Sequence, residues 1–231
     1  MRVLMWILAG SFLFGFGMAV GAPRGYRSFR DRIARGLNQV LSPFEAVLIK
    51  LRVGPDSLNY SGLFLAAASG ILFAAGALVF GGLALLLSGF CDILDGRIAR
   101  RTGRVSAFGA FLDSTLDRFG ESLVFLGLLI FLQERGVSGF WPAFALAGAL
   151  LVSYARARGE SVGVLCDTGL MQRGERVFLI CAACFCAPLL SRITGIAEVR
   201  IIEGALAVLG IGAWLTAALR TLKIGARLRR K

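Results

Sequence analysis

The sequence predicts an all-α, polytopic membrane protein: a bundle of six transmembrane helices, preceded by an amphipathic surface helix and by an apolar N-terminal segment long enough for an extra span. Three observations predict it. Hydrophobic residues make up 57% of the 231-residue chain, and its mean hydropathy is +0.75, above the roughly 45–50% apolar content of soluble domains. Apolar runs of the ~20 residues that cross a bilayer recur along the chain. Basic residues gather at alternate ends of those runs, the asymmetry expected of membrane-spanning helices.

Taken in order, residues 1–23 form the apolar N-terminal segment. Its core, "VLMWILAGSFLFGFGMAV", is flanked by Arg2 and by a run of arginines. It reads as an extra span, an uncleaved signal anchor or a misplaced start, with little resemblance to a cleavage site. Residues 24–53 are basic and amphipathic: Phe29, Ile33, Leu37, Leu41 and Phe44 recur every three or four residues. That pattern lays a helix on the membrane surface, apolar side down. The membrane domain, residues 54–225, holds six expected spans near 58–79, 82–101, 106–132, 139–156, 176–192 and 201–222, with Gly81-Gly82 as the first turn. A basic tail, 226–231, closes the chain.

Lysine and arginine number seven in 24–53, four in 97–104, four in 156–176 and six in 220–231, all at one end of the bundle. Arg135, Arg192 and Arg200 lie at the other. The imbalance places the basic ends and the C-terminus in the cytoplasm, with the protein integral to the cytoplasmic membrane. The net charge of +12 therefore needs no nucleic acid to explain it, and no soluble basic domain remains once the spans are removed. Histidine is absent, which excludes Ser-His-Asp catalysis, HExxH zinc sites and haem ligation by His. Three of the five cysteines, Cys181, Cys184 and Cys186, sit in one apolar run with no second pair and no His, and act there as small hydrophobes.

The stretch "DILDGRIARRTGRVSAFGAFLDSTLD" carries the chemistry. Asp92 and Asp95 are three residues apart, Asp113 and Asp117 four apart, so each pair shares one face of its helix. The short turn between them makes the helices antiparallel neighbours, and four carboxylates converge. An ionised Asp within a span costs at least ~2.5–3.5 kcal/mol on insertion scales, so positive charge must sit among them. Oxygen donors without His select hard divalent cations, Mg²⁺ or Mn²⁺, and two ions are expected. Glu121 extends the stripe by one turn as a supporting group. The competing reading pairs the aspartates with Arg97, Arg100, Arg104 and Arg118 as ion pairs at the membrane edge. It leaves Gly96 and Gly109 unexplained, since Gly within a helix marks close approach of a ligand or backbone.

Written out, the stretch is Asp92-x2-Asp95-Gly96-x2-Ala99-Arg100-x8-Gly109-x3-Asp113-x3-Asp117. With every fixed position filled, it resembles the signature of the CDP-alcohol phosphatidyltransferase family, and the six-helix layout over roughly residues 50–225 resembles that family too. The resemblance implies that an acceptor hydroxyl attacks the β-phosphorus of a CDP-linked donor, usually CDP-diacylglycerol, releasing CMP. It implies that Asp92, Asp95, Asp113 and Asp117 ligate metal, that Asp117 is also the catalytic base, and that Asp92, Gly96 and Arg100 hold the CDP moiety, with Ser106 nearby. One position departs from the family's usual Pro-Asn-x-x-Thr: here the first span opens with Pro55-Asp56-Ser57-Leu58-Asn59. Either Asp56 or Asn59 can cap that helix.

Arg156, Arg158, Arg173 and Arg176 bracket the loop between the fourth and fifth spans, and Arg220 lies near the basic end of the sixth. Ser153, Arg156, Arg173, Arg176 and Arg220 are the candidate acceptor-phosphate residues. The run Ser153-Tyr154-x-Arg156-Ala157-Arg158, followed by Gln172-Arg173-x-Glu175-Arg176, resembles the inositol phosphate-using branch of the family. That resemblance implies a phosphorylated polyol acceptor, first inositol 1-phosphate and next glycerol 3-phosphate. The expected partners are then CDP-diacylglycerol, the phosphorylated alcohol and membrane lipid, without nucleic acid. Small residues along "GLFLAAASGILFAAGA" and "GAFLDSTLDRFGES" allow close helix packing and a homodimer. A divalent cation transporter is the alternative of a different class; it predicts acids spread through the depth of several spans.

Overall fold

The computed structural model describes residues 41–166 and 168–230; the segment 1–23 and most of the basic segment 24–53 lie outside them. Six long helices follow: α1 (Pro55–Ala74), α2 (Leu78–Thr102), α3 (Ala107–Gln133), α4 (Phe140–Ser161), α5 (Arg173–Thr194) and α6 (Glu198–Leu228). The described residues contain no strand, and the all-α polytopic class stands. Five of the helices are long and apolar enough to cross a membrane. The sixth, α3, has 27 residues and so spans about 40 Å, but Asp113, Asp117, Arg118 and Glu121 interrupt its apolar surface.

The first turn falls at Ala75–Ala77, where Gly76 takes φ +82°, and not at Gly81-Gly82. Those two glycines lie inside α2 and serve packing. A Cβ on Gly81 would lie 2.5 Å from the Phe73 ring, and one on Gly82 3.2 Å from the Cβ of Cys184. Two further boundaries differ. Helix α4 continues to Ser161, and α6 runs to Leu228, into the expected tail.

Helix α1 packs on α2 and α3, α4 packs on α6, and α5 joins the two groups through α2 and α6. Ser69 and Ser88 tie α1 to α2 by donating to the carbonyls of Gly81 and Gly62, each at 2.8 Å. Between α1 and α3 the backbones touch: a Cβ on Gly127 would lie 2.7 Å from the Cα of Gly70, and one on Gly120 3.0 Å from the Cβ of Ala66. The small-residue stripes that allow a dimer are thus occupied, in large part, in joining α1 to α3 within one chain. Cys181 and Cys184 are fully buried in the core beside Leu128, Leu206 and Phe73.

Residues 41–50 are helical and dock on the bundle. Leu41 is buried against Leu58, Leu94 and Ile98, and Glu45, fully buried, receives Arg97 and Arg101 of α2, the latter at 2.6 Å. The expected surface helix is therefore, over its described part, clamped to α2 by charge as well as by apolar contact. Phe44 and Val47 stay exposed.

Candidate active site

Helices α2 and α3 run antiparallel, joined by residues 103–106, where Gly103 takes φ +69° and closes α2. Ser106 caps α3, its Oγ accepting the amide of Gly109 at 3.0 Å. This short connection sets the register of the acids. Asp92 and Asp95 lie within three turns of the end of α2, and Asp113 and Asp117 within three turns of the start of α3. The site therefore sits roughly 10–15 Å inside the basic end of the bundle.

Carboxylate oxygens of Asp92, Asp95 and Asp113 lie within 4.8 Å of one another. One oxygen of Asp95 is buried with no hydrogen-bond partner. An orphaned buried carboxylate oxygen is costly unless a ligand completes it. Together with an all-oxygen donor set, it fits a hard divalent cation. Asp117 lies one turn beyond Asp113 and completes the group through Arg173.

Arg173, the first residue of α5, supplies the positive charge that the acids need. Its Nη1 lies 2.5 Å from Asp92 and 2.7 Å from Asp117. Arg118 is a distant second partner of Asp117, at 3.7 Å. The pairing of the aspartates with Arg97, Arg100, Arg104 and Arg118 is thus replaced in large part: Arg97 serves Glu45, and α5 provides the counter-ion. Glu121, expected beside the acids, turns instead to Arg176, with Nε at 2.6 Å and both side chains nearly buried.

A cleft of about 270 Å³ opens beside the acids, lined by Asp95, Asp113, Gly96, Arg100, Ser106 and Gly109 together with Asp56 and Asn59 of α1. The two glycines face it. A Cβ on Gly96 would stand 3.3 Å from the Arg100 guanidinium, and one on Gly109 3.2 Å from the Ser106 hydroxyl. Their absence of side chain keeps the cleft open at its floor. Asp56 and Asn59 line this cleft, while Pro55 opens α1 behind an N-cap, Gly54, that makes no side-chain cap bond.

The other candidates divide. Arg176 also donates to the carbonyl of Met171 at 3.1 Å. Arg220, 2% exposed, donates to the carbonyls of Thr168 and Val152 at 2.8 and 3.1 Å. The hydroxyl of Thr216 accepts the Met171 amide at 3.1 Å. These bonds fasten the α4–α5 loop to α5 and α6, and so fix where Arg173 enters the site. Ser153 and Arg156 lie on α4 outside the cleft, Arg156 pairing with Glu160 at 2.9 Å. Arg158 lines a separate groove between α4 and α6. Sequence reasoning missed the carboxylate-bridging position of Arg173 and the clamp at Glu45. The available signals were a cation directly before an apolar run at the basic end, and Glu45, one of two acids among the seven basic residues of 24–53.

Comparison with known proteins decides the family. The family model for CDP-alcohol phosphatidyltransferase matches residues 53–219. The chain belongs to this family. It is 34% identical over 173 residues, 73% of this chain and 80% of the relative, to a phosphatidylinositol phosphate synthase of Cutibacterium acnes. It is 34% identical over 134 residues, 58% of this chain and 67% of the relative, to an archaetidylinositol phosphate synthase of Methanothermobacter thermautotrophicus. The phosphatidylinositol phosphate synthase of Mycobacterium tuberculosis, solved with CDP-DAG bound, superposes with a TM-score of 0.69 at 25% identity, covering 80% of this chain and 94% of that one. The protein is therefore an integral-membrane CDP-alcohol phosphatidyltransferase.

Proposed function

We propose that this phosphatidyltransferase moves the phosphatidyl group from CDP-diacylglycerol to a hydroxyl of inositol 1-phosphate and releases CMP, at a site facing the cytoplasm. The observation that carries the reading is the meeting of Asp92, Asp95, Asp113 and Asp117 with Arg173 at the edge of the cleft that holds Gly96, Arg100 and Ser106. The names of the two curated relatives support the inositol phosphate acceptor, and the clustering of basic residues at the site's end supports the orientation.

In this proposal Arg100 and the α3 start receive the diphosphate, since a guanidinium fork binds two phosphate oxygens at once. Asp92, Asp95, Asp113 and Asp117 would hold two Mg²⁺ or Mn²⁺ ions, whose charge would offset that of the diphosphate and of the departing CMP. Asp117 takes the proton of the acceptor hydroxyl as its oxygen bonds to the β-phosphorus and the bond to CMP breaks. Arg173 exchanges its carboxylate contacts for the acceptor's phosphate, with Ser153 and Arg156 of α4 toward its outer side. Arg176 and Arg220 keep the loop that presents it.

The experiment is CMP release by purified protein with CDP-diacylglycerol, comparing inositol 1-phosphate, glycerol 3-phosphate, free inositol and serine. CMP with inositol 1-phosphate, abolished in Asp117→Asn, is the expected result. Turnover with glycerol 3-phosphate alone would reassign the acceptor. Transport is disfavoured because the acids occupy two adjacent helices near one end rather than the depth of the bundle.

A further inference from the structure

Arg158 belongs to the arginine cluster around the α4–α5 loop, yet the reaction site does not use it. It stands at the basic end of a groove of about 690 Å³ between α4 and α6, whose walls include Leu151, Tyr154, Trp214, Ala218 and Leu222. No lining residue is shared with the cleft or the acids. The volume falls within the roughly 300–1,000 Å³ of small-ligand sites.

Three features state what fills it. From Leu151 to Val162 the α4 wall runs about 16 Å, half of the ~30 Å hydrocarbon core, so the groove has the depth of one leaflet and starts at the basic end. Its walls are otherwise mostly apolar, the Thr221 hydroxyl being turned to the carbonyl of Ala217 at 2.9 Å, and Tyr154 and Trp214 are 65% and 39% exposed. At the rim, the exposed Arg158 makes no ion pair with any described acid; among the described residues its guanidinium has one polar contact, the Ser161 hydroxyl at 3.4 Å. An apolar slot one leaflet deep below an exposed guanidinium matches an acyl chain below a phosphate. A second copy seated here by two-fold symmetry would bring this basic rim against itself.

We infer that the α4–α6 groove binds an anionic phospholipid of the leaflet at the basic end, one acyl chain between Leu151 and Trp214 and its phosphate on Arg158. This lipid is distinct from the lipid consumed in the reaction.

The test uses Trp214 as reporter. The chain has three tryptophans; a W6F/W141F protein leaves one, and CMP-forming activity shows that it is folded. It is placed in phosphatidylcholine vesicles containing brominated-chain phosphatidylglycerol or brominated-chain phosphatidylcholine, and quenching is titrated. Phosphatidylglycerol is expected to compete about fivefold better, the factor that corresponds to ~1 kcal/mol for one basic residue near an anionic lipid. Arg158→Ala should remove that preference, and Ala218→Phe should reduce quenching by both. Equal quenching by both lipids, unchanged by Arg158→Ala, overturns the inference and leaves ordinary boundary lipid. Absent quenching with disulfide trapping of Ala218→Cys between copies overturns it in favour of a dimer face. If W6F/W141F does not fold, native mass spectrometry of otherwise unaltered protein decides: one phosphatidylglycerol retained and lost in Arg158→Ala supports it, and identical retention overturns it.

Discussion

Replacing Gly127 with alanine tests whether the contact of α1 with α3 sets the reaction geometry. The added Cβ would lie 2.6 Å from the carbonyl carbon of Gly70 and 2.7 Å from its Cα, where ordinary contact begins near 3.4 Å. Backbone on both sides leaves no flexible side chain to yield, so α3 must recede from α1 by about 1 Å. Overpacking of this kind costs typically about 1–3 kcal/mol, which lowers Tm by roughly 2–12 °C for a chain of this size. The same shift carries Asp113 and Asp117 away from Asp56 and Asn59, widening the cleft, and a 1 Å misplacement can cost up to ~10²-fold in rate. Gly204→Ala is the control: it lies on α6 with nothing within 4 Å of the new Cβ, and should leave both readouts near wild type. The assay is thermal unfolding in detergent beside CMP release at saturating acceptor. A Gly127→Ala protein with wild-type Tm and turnover would refute the reasoning. Gly70→Ala presses on the α3 backbone one turn away, its Cβ 3.0 Å from the carbonyl carbon of Leu123; both changes push the same two helices apart, so the double variant should cost less than the sum of the two.

Other substitutions follow from the same geometry. Asp117→Asn should lower CMP formation by ~10²–10⁴ while CDP-diacylglycerol binding, read by isothermal titration, persists. Arg173→Ala should raise KM for the phosphorylated acceptor more than for the donor, and Arg173→Lys should recover part of the loss; an unchanged acceptor KM would remove Arg173 from the acceptor pocket. Glu121→Ala leaves Arg176 buried and unpaired, a loss of ~3–5 kcal/mol, measured as failure to fold or a large drop in Tm. Chelation by EDTA should abolish turnover, with return on adding Mg²⁺ or Mn²⁺, and Asp95→Asn should raise the metal concentration needed for half-activity.

The sequence made the acids legible because their spacing is local. Two pairs at three and four residues on helices joined by a short turn leave one arrangement, and the structure shows it. Cleft residues Gly96, Arg100 and Ser106 were legible for the same reason. What could not be read was which distant charge meets which. Arg173 is 56 residues from Asp117 along the chain, and its place directly before an apolar run does not say which acid it meets; Arg156 and Arg158, from the same basic cluster, have quite different structural surroundings. The turn at Gly76 was misplaced because Gly81 and Gly82 carry the same local signal. Their reason for being glycine lies in Phe73 and Cys184, contacts that no one-dimensional pattern contains. Arg97 and Arg101 likewise looked available to the aspartates until a fully buried Glu45 claimed them.

The most direct test of the central claim is the identity of the lipid product. Purified protein, CDP-diacylglycerol, inositol 1-phosphate and Mg²⁺ should yield, by mass spectrometry, a phosphatidylinositol that keeps the acceptor's phosphate, one molecule for each CMP, and none with Asp117→Asn. CMP formed without acceptor, or a lipid product that Asp117→Asn forms at the wild-type rate, would contradict the account.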